Sequence, residues 1–144
     1  MARKLFIGCD HGGLTLKDAL KPAIEKQGWS VEDLGTHTTE SCDYPLIAKA
    51  VCAAVLQEEG SLGILICGTG LGMSMTANRF EGIRAAVCTN EYMARMARAH
   101  NDANVLCLGE RTTGQGLAQG IVEVFLQAGF EGGRHLRRIN LIEN

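Results

Sequence analysis

A three-layer α/β fold, five parallel strands with helices on both faces, is the architecture that the 144 residues predict. Three observations predict it. Short apolar runs alternate five times with amphipathic stretches, glycine stands just beyond several of those runs, and the length is that of one domain.

The first run, Lys4–Cys9, reads as a buried strand feeding the turn Asp10-His11-Gly12-Gly13. From Leu14 to Gln27, Leu16, Leu20, Ala23 and Ile24 recur at helical spacing and stop at Gly28, with Pro22 marking a kink or a late start. Val31–Leu34 is a second strand. Asp43 and Pro45 open a helix to about Glu59, because proline fits a helix's first turn. Leu62–Cys67 is continuously apolar and rich in branched residues, as a strand covered on both faces must be. Gly68–Gly72 follows, then a helix to Phe80, a strand at Arg84–Cys88, a helix at Asn90–His100, a strand at Asn104–Leu108 and a helix at Gly116–Ala128. Beyond Gly132 the tail is arginine-rich, with Leu136, Ile139, Leu141 and Ile142 spaced for docking. No linker or repeat divides the chain, so residues 1–144 form a single domain.

Composition narrows the function. At 46% hydrophobic and 21% charged residues, the chain is neither disordered nor of low complexity. A formal net charge of -2 argues against a nucleic-acid partner, and only Arg134, Arg137 and Arg138 gather positive charge. No apolar stretch approaches the roughly 18 residues of a membrane span, and the run before Asp10 is too short for a signal peptide's core. The 6 cysteines show no C-x-x-C, and Cys9, Cys67, Cys88 and Cys107 lie in strand-like runs where a thiol acts as a small hydrophobe. A reduced, soluble, cytoplasmic protein is expected. With 18 glycines and 2 prolines, the backbone is expected to approach something closely in several places.

Parallel sheets bind ligands beyond the carboxyl ends of their strands, which directs attention to the loops there. Gly68-Thr69-Gly70-Leu71-Gly72 is either a packing turn or a cradle whose amides converge on an anion or oxyanion. It is not a dinucleotide fingerprint, because Met73 stands where the last glycine would be. Cys67, just ahead of it, is either a core thiol or a nucleophile or base favoured by the adjacent helix start. Asp10 can cap the first helix or orient a hydroxyl, and His11 can be a turn residue or a phosphate ligand. His100, Asn101 and Asp102 are helix-end and turn formers or a polar site. Arg111, Arg134 and Arg138 suit phosphate oxygens, while His37 and His135 read as structural. A metal held by Cys67, His11, His100 and Asp10 lacks local ligand spacing, so none is expected.

At these residues the chain resembles the ribose-5-phosphate isomerase B family, grouped with the allose-6-phosphate and galactose-6-phosphate isomerases. The resemblance rests on Gly8–His11, Asp43–Pro45, Gly63–Gly72, Ala77-Asn78, Gly82–Ala85, His100–Leu106 and Glu131–His135, spread over nearly the whole chain. It implies a Rossmann-like fold and an aldose–ketose isomerase that converts ribose 5-phosphate to ribulose 5-phosphate without metal or organic cofactor. Carried over, Cys67 is the base that moves a proton through an enediolate, while Thr69 and the Gly68, Gly70, Leu71 and Gly72 amides stabilise the oxygen. By the same resemblance His100 opens the sugar ring, and Asp10, Tyr44 and Asn101 contact the sugar. His11, Arg111, Arg134 and Arg138 take the phosphate. The resemblance further implies a homodimer or dimer of dimers. Its cleft would lie between subunits, the tail would pack on a neighbour, and His100, Asn101 and Arg111 would come from that neighbour. Some members use a carboxylate one turn into the following helix; Met73 stands there and carries no proton. Arg137 beside Arg138 leaves two candidates for the second phosphate arginine. Three alternatives stand beside this one: a six-carbon sugar phosphate as substrate, a non-catalytic phosphosugar-binding subunit, and a nucleotide-binding oxidoreductase, which the missing glycine disfavours.

Overall fold

Strand β1 (Lys4–Cys9) leads through a 3-10 turn (His11–Gly13) into α1 (Leu14–Lys26) and β2 (Ser30–Asp33). Then come α2 (Tyr44–Gln57), β3 (Leu62–Cys67), α3 (Leu71–Ala77) and β4 (Ala85–Val87). The chain ends with α4 (Glu91–Ala99), β5 (Val105–Gly109), α5 (Gln115–Gln127) and α6 (Arg134–Asn140). The structure is a computed structural model that describes residues 2–143.

All strands pair in parallel, in the order β2-β1-β3-β5-β4. Side-chain alternation divides the core between two faces. Leu5, Ile7, Ile64, Ile66, Leu106 and Leu108 pack under α1, α4 and α5. Phe6, Leu65, Cys67, Val105 and Cys107 pack under α2 and α3. Chain direction across the sheet reverses between β1 and β3, so the loops after those strands flank the fold's switch point.

The expected elements are present with small shifts. Helix α1 runs through Pro22 unbroken: Pro22 is exposed, and so is Asp18, whose carbonyl loses its partner there and faces water. Helix α3 starts at Leu71 and stops at Ala77, short of Phe80. The tail, for which the pattern specified no element, winds into α6. It is tied to its own chain by the Glu131 N–H donated to the Ala99 carbonyl (3.0 Å) and by Gly82 N–H donated to Glu143 Oε1 (2.7 Å).

Beneath β2, the fully buried Lys17 donates from Nζ to Asp33 Oδ1 (2.7 Å), and Lys21 donates to Oδ2 (2.9 Å). Burial alone would raise the Asp33 pKa, but hydrogen bonds from Lys17, the Gly35 amide and Lys21 hold it below the ordinary aspartate value. All six cysteines are free.

Candidate active site

Three strand-end loops interlock at the switch point. Asp10, 8% exposed, follows β1; its Oδ1 accepts the Gly12 N–H (2.9 Å), and its own N–H is donated to the Ile66 carbonyl (3.1 Å). The aspartate therefore does cap the turn, and it is held against β3 while doing so. His11 is exposed, and its Nδ1 accepts the Cys42 N–H (3.3 Å). A neutral imidazole accepting at Nδ1 carries its proton on Nε2, the form that donates to an anion.

Cys67 closes the fully buried β3. It is 6% exposed, and its Sγ accepts the Gly70 N–H at 3.1 Å. Gly70 has φ +83, and a Cβ there would stand 3.1 Å from the Leu108 carbonyl carbon, so both conformation and space require glycine. Thr69 is exposed, and its Oγ1 accepts the Leu71 N–H (3.3 Å). Two of the loop's amides are thus given to the loop's own sulfur and hydroxyl. A Cβ on Gly72 would lie 2.5 Å from Tyr44 Cε1, so the first residue of α2 lays its ring directly on the loop.

The loop after β5 completes the group. The Glu110 N–H is donated to the Cys67 carbonyl (2.9 Å) and the Arg111 N–H to the Gly68 carbonyl (3.0 Å). The Arg111 guanidinium covers Gly68, with Nη1 3.3 Å from where a Cβ would be, and reaches towards Gly12. Arg111, expected from a neighbouring subunit, instead belongs to the Cys67 loop of its own chain, because that backbone bond sets its side chain there. Glu110 turns away and caps α1, its Oε1 accepting the Leu16 N–H (2.7 Å). Elsewhere, burial pushes the Cys9, Cys52 and Cys88 thiols up to about 11 and Cys107 well above the ordinary value, as fits core thiols.

His100, Asn101, Arg134 and Arg138 stand elsewhere. His100 caps the C-terminus of α4, and its ring stacks on His135 with centroids 4.2 Å apart and planes 12° apart. Glu131 Oε1 lies 3.7 Å from His100 Nε2 and 3.5 Å from His135 Nε2. Burial lowers the His135 pKa below its ordinary value; the charges of His100, Arg134 and Arg138 act in the same direction, and Glu131 opposes them.

This group sits at the opposite end of the sheet. The Gly63 N–H, near the start of β3, is donated to the Asn104 carbonyl (2.8 Å), just beyond His100 and Asn101. From Gly63 to Cys67 the strand rises roughly 13 Å. One chain therefore gathers Asp10, His11, Tyr44, Cys67–Gly72 and Arg111 at one end, and His100, Asn101, Arg134 and Arg138 at the other. The ligand set considered for a metal (Cys67, His11, His100, Asp10) is split by the same distance. Sequence reasoning left His135 as structural and gave Glu131 no role beyond the block Glu131–His135, because the contact of both with His100 is long-range.

Comparison with known proteins gives the family. The Ribose/Galactose Isomerase family profile matches residues 5–142. The chain is 47% identical over 140 residues to ribose-5-phosphate isomerase B of Escherichia coli, covering 97% of this chain and 94% of that one. The solved ribose-5-phosphate isomerase B of Clostridium thermocellum superimposes with a TM-score of 0.93 at 53% identity, covering 96% of this chain and 94% of that one. That of Thermotoga maritima does so with a TM-score of 0.94 at 50% identity, covering 99% and 98%.

Proposed function

Because the chain belongs to the Ribose/Galactose Isomerase family, we propose that this aldose–ketose isomerase interconverts D-ribose 5-phosphate and D-ribulose 5-phosphate by proton transfer at Cys67. The observation that carries the reading is the Cys67 sulfur at the switch point, in a loop braced by Arg111 and Gly12 and covered by Tyr44. The Gly70 N–H donated to that sulfur holds it in place beside the loop.

His100 moves the anomeric proton and opens the ring. The Cys67 thiolate then removes the hydrogen on C2 of the open aldose, and the electron pair shifts to the C1 carbonyl oxygen. Thr69 and the Gly68 and Gly72 amides stabilise that oxygen, as preorganised donors do for developing charge, while the Gly70 and Leu71 amides are given to Cys67 and Thr69. The thiol returns its proton to C1 while the O2 proton passes to O1, so C1 is reduced as C2 is oxidised. No organic cofactor or metal is needed for that exchange. Asp10, Tyr44 and Asn101 hold the sugar hydroxyls. His11, Arg111, Arg134 and Arg138 grip the phosphate, whose remote binding positions the reacting carbons.

These roles require two copies of the chain. In a twofold pair, one copy's His100, Asn101, Arg134 and Arg138 meet the other's Cys67, and each interface repeats the exchange. The tail helix then packs at that boundary, and the six free thiols accord with a reducing, cytoplasmic setting.

The test is complementation. Cys67→Ala and His100→Asn, each inactive alone on ribose 5-phosphate, are dissociated, mixed and reassembled. Random reassortment restores about a quarter of the sites if each site spans two copies. No recovery in verified mixed dimers would overturn the shared site. Comparing kcat/KM for ribose 5-phosphate and allose 6-phosphate then tests the sugar, with a preference for the six-carbon substrate counting against this reading.

A further inference from the structure

We propose that His100, Glu131 and His135 form a binding site for a first-row divalent cation, Zn2+ foremost, where the end of α4 meets the start of α6. Their three donor atoms lie within 4.8 Å of one another. Zn–N and Zn–O bonds of about 2.0–2.2 Å set ligand atoms about 3.3 Å apart on the edges of a tetrahedron. Glu131 Oε1 already stands 3.7 Å from His100 Nε2 and 3.5 Å from His135 Nε2, so those two edges need to close by only a few tenths of an ångström. Glu131 is exposed and has the freedom to make that adjustment.

The stacked imidazoles, 4.2 Å apart and nearly parallel, both set Nε2 near the one carboxylate, and one ring turns out of the stack to bring its in-plane lone pair to a shared ion. The Glu131 N–H bonded to the Ala99 carbonyl (3.0 Å) fixes the backbone joint between the two helices. Two imidazoles and a carboxylate are a donor set that zinc takes with positions left for water or substrate. Arg134 and Arg138, whose charges reach His135, repel a dication, so the ion is exchangeable rather than a folding core.

The consequence rests on the function proposed above, although the site does not. An ion at Nε2 takes the His100 imidazole away from ring opening, so Zn2+ inhibits the isomerase, and a phosphosugar reaching Arg134 and Arg138 competes with it.

The test uses full-length protein stripped with a chelator, titrated with Zn2+ by calorimetry and with Co2+ by visible absorption. One ion per chain is expected, with Co2+ bands of nitrogen and oxygen ligation and no thiolate charge-transfer band. His135→Gln and Glu131→Gln should each weaken Zn2+ binding by more than the roughly 10–100-fold that follows loss of an outer-shell partner. Circular dichroism checks folding; should His135→Gln not fold, the exposed Glu131→Gln decides. A thiolate band, unchanged affinity in the variants, or no binding at submillimolar Zn2+ would overturn the site. Zinc binding through these residues in a protein without ribose 5-phosphate turnover would sustain the site and overturn the functional reading instead.

Discussion

Around Cys67 the partners lie a few residues away, across a strand ladder or, for Tyr44, on α2; around His100 they come from the C-terminal segment. The first group is backbone-built: Gly70 N–H to sulfur, Asp10 N–H to Ile66, Arg111 N–H to Gly68, with the side chains seated on two buried strands. The second is made of side chains at helix ends, with Glu131, Arg134 and Arg138 exposed and two imidazoles in contact. Backbone ladders between buried strands resist rearrangement, whereas exposed side chains respond to charge, protons and ions. The difference suits a division of labour in which one end provides a rigid reacting surface and the other an adjustable grip.

The sharpest way to break that comparison is Cys67→Ala. Turnover should fall by roughly 10²–10⁴-fold, the range for loss of a positioned proton-transfer group, with phosphosugar affinity little changed by calorimetry. Substantial remaining activity would remove the sulfur from the base role. Next in size is Gly72→Ala, whose new Cβ meets the Tyr44 ring at 2.5 Å. Moving the ring should cost about 1–3 kcal/mol of stability, read as a lowered denaturation midpoint, and should lower kcat/KM through the displaced Tyr44. An unchanged midpoint would show that the loop end is not rigid.

The smallest effect concerns acid. His135 has its pKa below the ordinary 6.5, so the detached or unfolded form binds the proton first. The α4–α6 joint therefore loses stability as pH falls through 6.5, and the loss ends once the folded value is passed. Asp33 lies below its ordinary 3.8. Its bridge to Lys17 and Lys21 is fully present above that value and is lost only as pH falls from there through the folded one. Hydrogen exchange, corrected for intrinsic rates, should show α6 losing protection between about pH 7 and pH 5 while α1 keeps its own. Equal loss in both helices would erase the distinction.

The Cys67 end was legible because its information is local. Five apolar runs marked the strands, and glycine after Cys67 marked the close approach. Asp10 followed β1 as a switch-point residue should. Helix α6 was not legible: seven residues with five charged or polar heads show no decisive period, and the helix exists because His135 and Ile139 find buried places on the body. Nor was the true place of Arg111, whose direction depends on a backbone bond between two loops. Pro22 misled, since whether proline interrupts a helix depends on which side faces water.

Periodicity and punctuation along the chain were enough to specify a parallel α/β domain and to point at the loop after Cys67, because strand burial and glycine turns are decided within a few residues. Strand order, the separation of His100 and the tail arginines from Cys67 by the height of the sheet, and the meeting of His100 with Glu131 and His135 emerged in the folded molecule alone. Each depends on contacts between segments far apart in the chain, and those are decided by how surfaces pack rather than by any neighbouring residue.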